Sequence, residues 1–562
     1  MTIRVLPASK LLAAGVLLLS VAILVVSNWL RLGALEAATA AQGQVLFVGG
    51  GDIWLRDLPK FHQSRRGHLL ADPHFEGEPH WYPPLNPWMA AGISNLTGAR
   101  GAGAFFRLEI LAVGAFLLAV LATQYLTTSL RGLMFAVPLG VLLGWIVPGN
   151  GLYPNDTARA GLLATLVAIG LSGVRSTTDA RARSKFGVPF CLGALVGVLG
   201  LWNGASFFVS LVVLLTWTTL PILDTLLARR RPVPHLVFKP VVAFLGCLVA
   251  MSPLLLPQLL RYGKIKSATS ARVWLDPMFG GGLNARAALD LPLFAQGSDL
   301  ALLAAGALAV LLCVALPRLP WKFNAVAMLP LFWAYLVCMF FAHLGFAMHD
   351  PAHPWVASLI RRLIPAPPHG FLGVSRAILL CLKLFSAWAV ASLAVTLWET
   401  RLVPKTKPAL VRVMRATGWL LGAALCVLVP LRMPTEIGFY SQPEDAHLMA
   451  WARKVRRLTG RDTVFVQYPG RLTALAGIRV LHFGAPDHAN HYVQPARQRL
   501  RDEINALARR GAFPELDDVF KRYGVRYLVE LPGPKDPVMF HCGGAPLLEH
   551  GGFKLLPVKP CA

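Results

Sequence analysis

A chain of 562 residues that is 55% hydrophobic and only 15% charged, with a mean hydropathy of +0.55, lacks the charge a water-soluble protein of that length needs. This excludes an ordinary soluble enzyme and points to a polytopic membrane protein. The formal net charge of +26 would suit nucleic acid, but the basic residues come in bursts between apolar runs. That pattern excludes a contiguous nucleic-acid-binding domain and fits the positive-inside rule and contact with membrane lipids.

In chain order, Leu11 to Leu30 is long enough to span a bilayer and follows Arg4 and Lys10. The following "ALEAATAAQ" loosely resembles a leader-cleavage site, yet the apolar run exceeds a typical leader core, which favours a retained anchor. Residues 31–104 form the first external loop. Within it, "GGGDIWLRDLPKFH" places Trp54, Leu58 and Phe61 on one helical face and Asp57, Lys60 and Ser64 on another. The expectation is an amphipathic helix lying in the interface, apolar side in lipid, shortened by Pro59, with Asp52 as a possible N-cap. Farther along, His74, Glu76, Glu78 and His80 alternate, so an extended backbone would align them to hold a divalent cation or a sugar. A solvated polar loop is the plain alternative.

Further spans are expected at about 105–130, 133–148, 158–174, 187–201, 204–227, 240–259, 299–317, 323–343, 371–398 and 416–431, making about eleven transmembrane helices. With the N-terminus cytoplasmic, Arg131, the Arg175–Lys185 cluster, Arg229–Arg231, Arg318 and the Arg401–Arg415 cluster fall in cytoplasmic loops nearly free of acid. The external loops are then 31–104, 261–298 and 344–370, with an external tail from 432 to 562. Loop 261–298 opens with Arg261, Lys264 and Lys266, an exception to the charge rule. Among eight cysteines, six lie in apolar runs as small hydrophobes, while Cys542 and Cys561 lie in the polar tail. An extracytoplasmic tail permits their pairing but does not demand it.

The tail changes character. "EDAHLMAWARKVRRLTG" has helical periodicity, "TVFVQYPG" reads as a strand, "ARQRLRDEINALARRG" and "PELDDVFKRYG" as amphipathic helices, and "VRYLVEL" as a strand. The fold class is therefore an α-helical polytopic membrane protein, domain 1–431, with a small α/β extracytoplasmic C-terminal domain, 432–562. The chain contains no Walker loop, no GxSxG and no HExxH.

An acid shortly after the first span, a juxtamembrane amphipathic helix and "HWYPPLNPW" (His80 to Trp88) together resemble the GT-C superfamily of polytopic glycosyltransferases. The Tyr82-Pro-Pro-Leu85 stretch is similar to the first-loop segment of protein O-mannosyltransferases and related bacterial enzymes. The resemblance implies a bacterial inner (plasma) membrane location and transfer of a sugar from a polyprenyl-phosphate-linked donor to an extracytoplasmic glycan, lipid or protein. It implies a first-loop acid acting on the acceptor or a metal, here Asp52 or Asp57, with the choice open. His62, His74, Glu76, Glu78, His80 and Tyr82 are then candidates for substrate or donor binding. Arg261, Lys264, Lys266, Arg272 and Arg376 are candidates for the lipid phosphate, each with headgroup contact as the plain alternative. No cofactor is defined beyond a possible divalent cation. One departure is the roughly twenty-residue distance from the first span to Asp52. Alternative readings are a transporter or flippase of a lipid-linked glycan, and a non-catalytic membrane scaffold.

Overall fold

The computed structural model describes residues 8–48, 56–75, 77–99, 101–127, 187–227, 234–263, 297–315, 441–460, 462–468, 470–482, 490, 492–533 and 537–562, with scattered positions between 157 and 169 and between 355 and 428. Asp52, Glu76, Lys264, Lys266, Arg272 and Arg376 lie outside the described residues, as do most of the expected spans 133–148, 158–174, 323–343, 371–398 and 416–431. Chain contacts divide the protein into two compact units. The first holds Met1–Leu30, Glu109–Met251 and Ser270–Gly438, and the second Arg31–Leu108, Ser252–Thr269 and Phe439–Ala562.

The first unit is helical. Its described segments come from α1 (Ala8–Ala41), with α2 (Leu58–Ser64) and α3 (Leu85–Thr97) following in the second unit. Then come α4 (Ala102–Thr127), α5 (Gly187–Trp202), α6 (Gly204–Leu227), α7 (Pro234–Tyr262) and α8 (Gly297–Ala315). Among the described residues, Leu18–Ala41 and Val237–Tyr262 are long and apolar enough to cross a membrane. Helices α5 and α6 are separated by Asn203, whose side chain accepts from the Ser206 backbone N–H at 2.9 Å and caps α6. Small residues let α5 and α7 approach backbone to backbone. A Cβ on Gly197 would stand 2.5 Å from the Cys247 carbonyl oxygen, and one on Gly193 would collide with that of Ala243. In a bilayer, where burial of apolar surface from water does not drive association, such close approach supplies the packing.

Helix α1 continues to Ala41, beyond the expected end of the span at residue 30. "RLGALEAATAA" contains no Gly-Pro break and is rich in Ala and Leu, so nothing in it stops the helix. The distance from helix end to Asp52 therefore shrinks to about ten residues.

The second unit is built from three distant parts of the chain. Strand β1 (Gln44–Val48) pairs antiparallel with β2 (Ser441–Asp445), Gln44 opposite Asp445. The tail continues as α9 (Ala446–Thr459), β3 (Thr463–Phe465), α10 (Gly470–Ala476), α11 (Gln494–Arg510), α12 (Phe513–Arg522), β4 (Val525–Glu530), α13 (Pro537–Cys542), β5 (Leu548–His550) and β6 (Phe553–Pro557). Strands order as β3-β4-β6-β5, with β3 parallel to β4 and the remaining pairs antiparallel. One face buries Phe465, Ile504, Leu516, Phe520, Leu528 and Val538 beneath α11 and α12. Cys542 and Cys561 are joined as a disulfide.

The four tail elements expected as α9, α11, α12 and β4, and the strand β3, are all present. The buried face of α9 is Leu448, Trp451, Ala452, Val455 and Thr459; of the periodicity expected at Ala446, Met449, Ala450 and Val455, Val455 lies on it and the other three are two residues out of phase. The bulk of Trp451 selects the face, because burying its ring outweighs burying two alanines.

Candidate functional site

The first loop folds back on itself. Asp72 Oδ1 accepts from the backbone N–H of His74 at 2.8 Å and of Phe75 at 2.9 Å, an Asx turn that reverses the chain. The Asp72 N–H then donates to the Glu78 carbonyl and the His80 N–H to that of Leu70, both at 2.8 Å, with Ala71 bridged to Pro79. This corrects the expected extended row: His74, Glu78 and His80 sit on a reversed chain rather than along one extended edge, and Glu76 lies outside the described residues. Among the described residues, no group of three His, Cys, Asp or Glu side chains is arranged to hold a metal ion.

Helix α2 is also unlike its expectation. Its apolar face does not lie open for lipid: Leu58 is 1% exposed and Phe61 0%, and the Phe61 ring packs 5.7 Å from that of Phe105. The polar face is equally covered, with Asp57 and Lys60 each 1% exposed. Pro59 sits in the first turn, where its missing N–H costs nothing.

That polar face is the most unusual chemistry in the unit. Arg56 donates from Nε to Asp57 Oδ1 at 3.1 Å and from Nη2 to Oδ2 at 3.2 Å. Its guanidinium lies 4.0 Å from the Tyr82 ring centre, and Lys60 Nζ lies 4.6 Å from the same centre and 5.8 Å from that of Trp81. Lys60 Nζ is buried without a hydrogen-bond acceptor among the described residues. Burial drives its pKa down to about 7, opposed by Asp57 and assisted by Arg56. Asp72 is pushed up to about 7 by burial, against the two backbone hydrogen bonds and the Lys60 charge. Burial and Lys60 hold His80 well below the usual histidine value. His80 is therefore neutral, and Nδ1 is 3.0 Å from the Ala71 carbonyl that it contacts as donor.

A second layer fixes this loop in place. The Tyr262 hydroxyl donates to Glu78 Oε2 at 2.6 Å, and Arg261 Nη2 lies 3.2 Å from Glu78 Oε1. Asn490 Nδ2 donates to the Tyr262 hydroxyl at 3.1 Å and to the Pro79 carbonyl at 3.3 Å. Gln258 Nε2 donates to the His80 carbonyl at 3.2 Å, and Tyr492 stacks on Tyr262 at 3.9 Å.

Of the sequence candidates, Asp57 and Tyr82 meet in one cluster, with His80 and Asp72 in the adjoining hairpin. Glu78 and Arg261 pair with each other, and the Arg261 guanidinium is 58% exposed. His74 is buried in the hairpin turn, its carbonyl accepting from Val480 N–H at 3.3 Å. His62 faces away from Lys60, onto a separate cavity. Sequence reading passed over Arg56, Lys60, Trp81, Gln258, Tyr262, Asn490 and Tyr492. The one available signal was the Arg56-Asp57-x-x-Lys60 run, whose charges share a helix with a buried apolar face.

No protein-family model and no curated protein matches the chain. Among solved structures it is similar to ArnT from Cupriavidus metallidurans bound to undecaprenyl phosphate, at 12% identity and a TM-score of 0.48 over 95% of this chain and 97% of that one. It is also similar to the Archaeoglobus fulgidus oligosaccharyltransferase in the apo form, at 13% identity and a TM-score of 0.42 over 94% of this chain and 70% of that one. Another structure of the Archaeoglobus protein holds zinc and sulfate, at 13% identity and a TM-score of 0.40 over 93% of this chain and 71% of that one. A likeness this remote does not extend to chemistry, which rests on the site itself.

Proposed function

We propose that the protein is a membrane glycosyltransferase of GT-C type that moves a sugar from a polyprenyl-phosphate-linked donor to an extracytoplasmic acceptor. The observation that carries this reading is Lys60: a buried amine beside a carboxylate, with no hydrogen-bond acceptor among the described residues. An anion would complete it, and the departing phosphate of a lipid-linked sugar is such an anion. The first-loop segment around Tyr82 supports the same class through its resemblance to that superfamily.

In this reading Lys60 and Arg56 meet the donor phosphate as negative charge develops on it. Asp57 takes the proton of the acceptor hydroxyl as the anomeric carbon is attacked. The shift of Lys60 toward neutrality in the empty site reverses when a phosphate arrives, because the anion favours the charged form. Lys60 is closed from solvent, so the substrate reaches it by displacing its Trp81 and Tyr82 cover. Asp52 remains a candidate for the base. Glu76, Lys264, Lys266, Arg272 and Arg376 remain candidates for donor contacts beyond this cluster, as does a divalent cation. About eleven spans in a bacterial plasma membrane, with the tail outside the cytoplasm, complete the arrangement. The Cys542–Cys561 disulfide supports an oxidising location for the tail.

The test is transfer of radiolabelled sugar from a purified polyprenyl-phosphate donor by the full chain and by Asp57→Asn, Asp52→Asn and Lys60→Gln. Loss with Lys60→Gln and with one aspartate variant identifies cation and base. Full turnover by all three would overturn the assignment.

A further inference from the structure

The hairpin beside Lys60 carries two further buried groups that the proposed reaction leaves unused. Asp72 is 4% exposed and His80 3%. Asp72 Oδ1 takes both backbone N–H groups of the Asx turn, while Oδ2 has no hydrogen-bond partner among the described residues. The Asn490 amide close by donates instead to the Pro79 carbonyl and the Tyr262 hydroxyl. His80 donates its Nδ1 proton to the Ala71 carbonyl, so Nε2 carries a lone pair, and that atom too is buried without a partner among the described residues.

The register of the hairpin collects these groups. With Ala71 bridged to Pro79, Asp72 paired with Glu78 and Leu70 with His80, the side chains of Asp72, Glu78 and His80 belong to one face. Lys60 of α2 stands within electrostatic reach of both Asp72 and His80, and His74 within reach of His80. From α7, Tyr262 meets the same face, where it and Arg261 occupy Glu78. Asp57, the other carboxylate near Lys60, has both oxygens held by Arg56. Asp72 Oδ2 is thus the carboxyl oxygen near Lys60 that no donor holds among the described residues.

Burial decides the protonation of such a pair. A carboxylate oxygen without a donor and an ammonium without an acceptor are both strongly disfavoured away from water. The favoured form of the empty site is a neutral amine beside a neutral carboxylic acid, and burial accordingly brings Lys60 down and Asp72 up, each to about 7. Arrival of a phosphate changes the balance. Lys60 then needs a proton to hold the anion, in a site closed from solvent.

We infer that Asp72 is the proton donor that charges Lys60 when the anionic sugar donor binds, an inference that rests on the assignment of Lys60 to the donor phosphate. The Oδ2–H bond of Asp72 breaks with its electron pair left on oxygen, and the lone pair of Lys60 Nζ takes the proton. The two groups are not hydrogen-bonded to each other, so the proton crosses on one water molecule or on a phosphate oxygen. The ammonium then faces two anions, and no proton is drawn from solvent. His80 stays neutral, because the Lys60 charge opposes an imidazolium. Departure of the anion reverses the transfer.

The probe is farnesyl methyl phosphate, a phosphodiester whose single charge does not titrate near neutrality, bound to the full chain in neutral detergent near neutral pH. Calorimetry in buffers of different ionisation enthalpy counts the protons exchanged with solvent. The parent should exchange almost none, and Asp72→Asn, which has no proton to give, should take up about one per site. Difference infrared spectra of the parent should show the protonated-carboxyl stretch lost on binding. That loss should be missing in Asp72→Asn and in Lys60→Gln. A merely structural Asp72 would move neither readout. Uptake of a full proton by the parent, or a carboxyl band that survives binding, would overturn the inference while leaving Lys60 at the phosphate. Failure of the probe to bind, or equal affinity in Lys60→Gln, would overturn the phosphate assignment and this inference with it.

Discussion

Replacing Lys60 with methionine should make the protein more stable and inactive. An ordinary lysine titrates near 10.5, whereas burial beneath Tyr82 and Trp81 brings Lys60 to about 7. Between those values the unfolded chain carries a proton that the folded chain has given up, so stability rises with pH across that window. Below about pH 7 the folded protein must hold a charged lysine in a desolvated place, at a cost on the order of 5 kcal/mol. The cation–π contacts recover roughly 1–2 kcal/mol of that. Lys60→Met keeps the side chain's length and removes its charge, so the net gain near neutral pH should be about 3 kcal/mol. The assay is thermal unfolding of the detergent-solubilised full chain, followed by tryptophan fluorescence from pH 6 to 10. The variant should melt higher at pH 7, with the advantage shrinking as the pH climbs toward the free lysine value. Sugar transfer should fall by about a hundredfold or more, the usual loss when a charge-stabilising group is removed. A variant that melts lower throughout, or that turns over normally, would refute the account of Lys60 as a strained cation awaiting an anion.

Further expectations concern the surroundings. Asp72, raised to about 7, keeps in the fold a proton that the unfolded chain loses above about pH 4. It therefore makes stability fall as pH rises from about 4 to about 7 and no further, and Asp72→Asn should flatten that slope in a melting series run from pH 4 to 8. Gly477 has φ +63°, and a Cβ there would stand 2.8 Å from the His62 Cβ. Gly477→Ala should lower stability by roughly 1–3 kcal/mol in denaturant titration. Cutting the Cys542–Cys561 link by Cys561→Ser opens a loop of sequence separation 19 and should cost about 3 kcal/mol, with mobility on non-reducing gels confirming the lost bond. Tyr492→Ala removes the ring stacked on Tyr262 and should increase hydrogen exchange at residues 70–80, with little change in the sheet of the tail.

The tail was legible where a single segment carries its own pattern. The spacing Leu500, Ile504, Leu507 in α11 and Leu516, Val519, Phe520 in α12 marks one buried face each, and those faces are the ones buried. The β5–β6 hairpin was passed over although Gly551-Gly552 between two short alternating stretches is a hairpin signal. The start of the first loop was misplaced because an alanine-rich helix can run past the bilayer without any change of local preference. Lys60 was placed with Asp57 on the polar face of an amphipathic helix. Nothing within its own segment discloses that Trp81 and Tyr82 close over it. The clasp of Glu78, Tyr262, Asn490 and Tyr492 was invisible for a similar reason, since its members are far apart in the chain and each is ordinary in its own neighbourhood.

The pairing of β1 with β2 has a bearing on how the protein is made. Gln44 finds Asp445 only after some four hundred residues have been synthesised and threaded into place. A ribosome-bound chain that has emitted its first helix thus holds β1 as a lone edge for most of translation, exposed to mispairing with any extended neighbour. Closing so long a loop costs little more entropy than closing a short one, but it is late. The clasp on residues 258–262 likewise waits for Asn490 and Tyr492 from the same late segment. Premature termination anywhere before the tail would leave helices without an assembled site. A nascent or truncated copy is therefore kept without a complete site by the order in which its parts arrive.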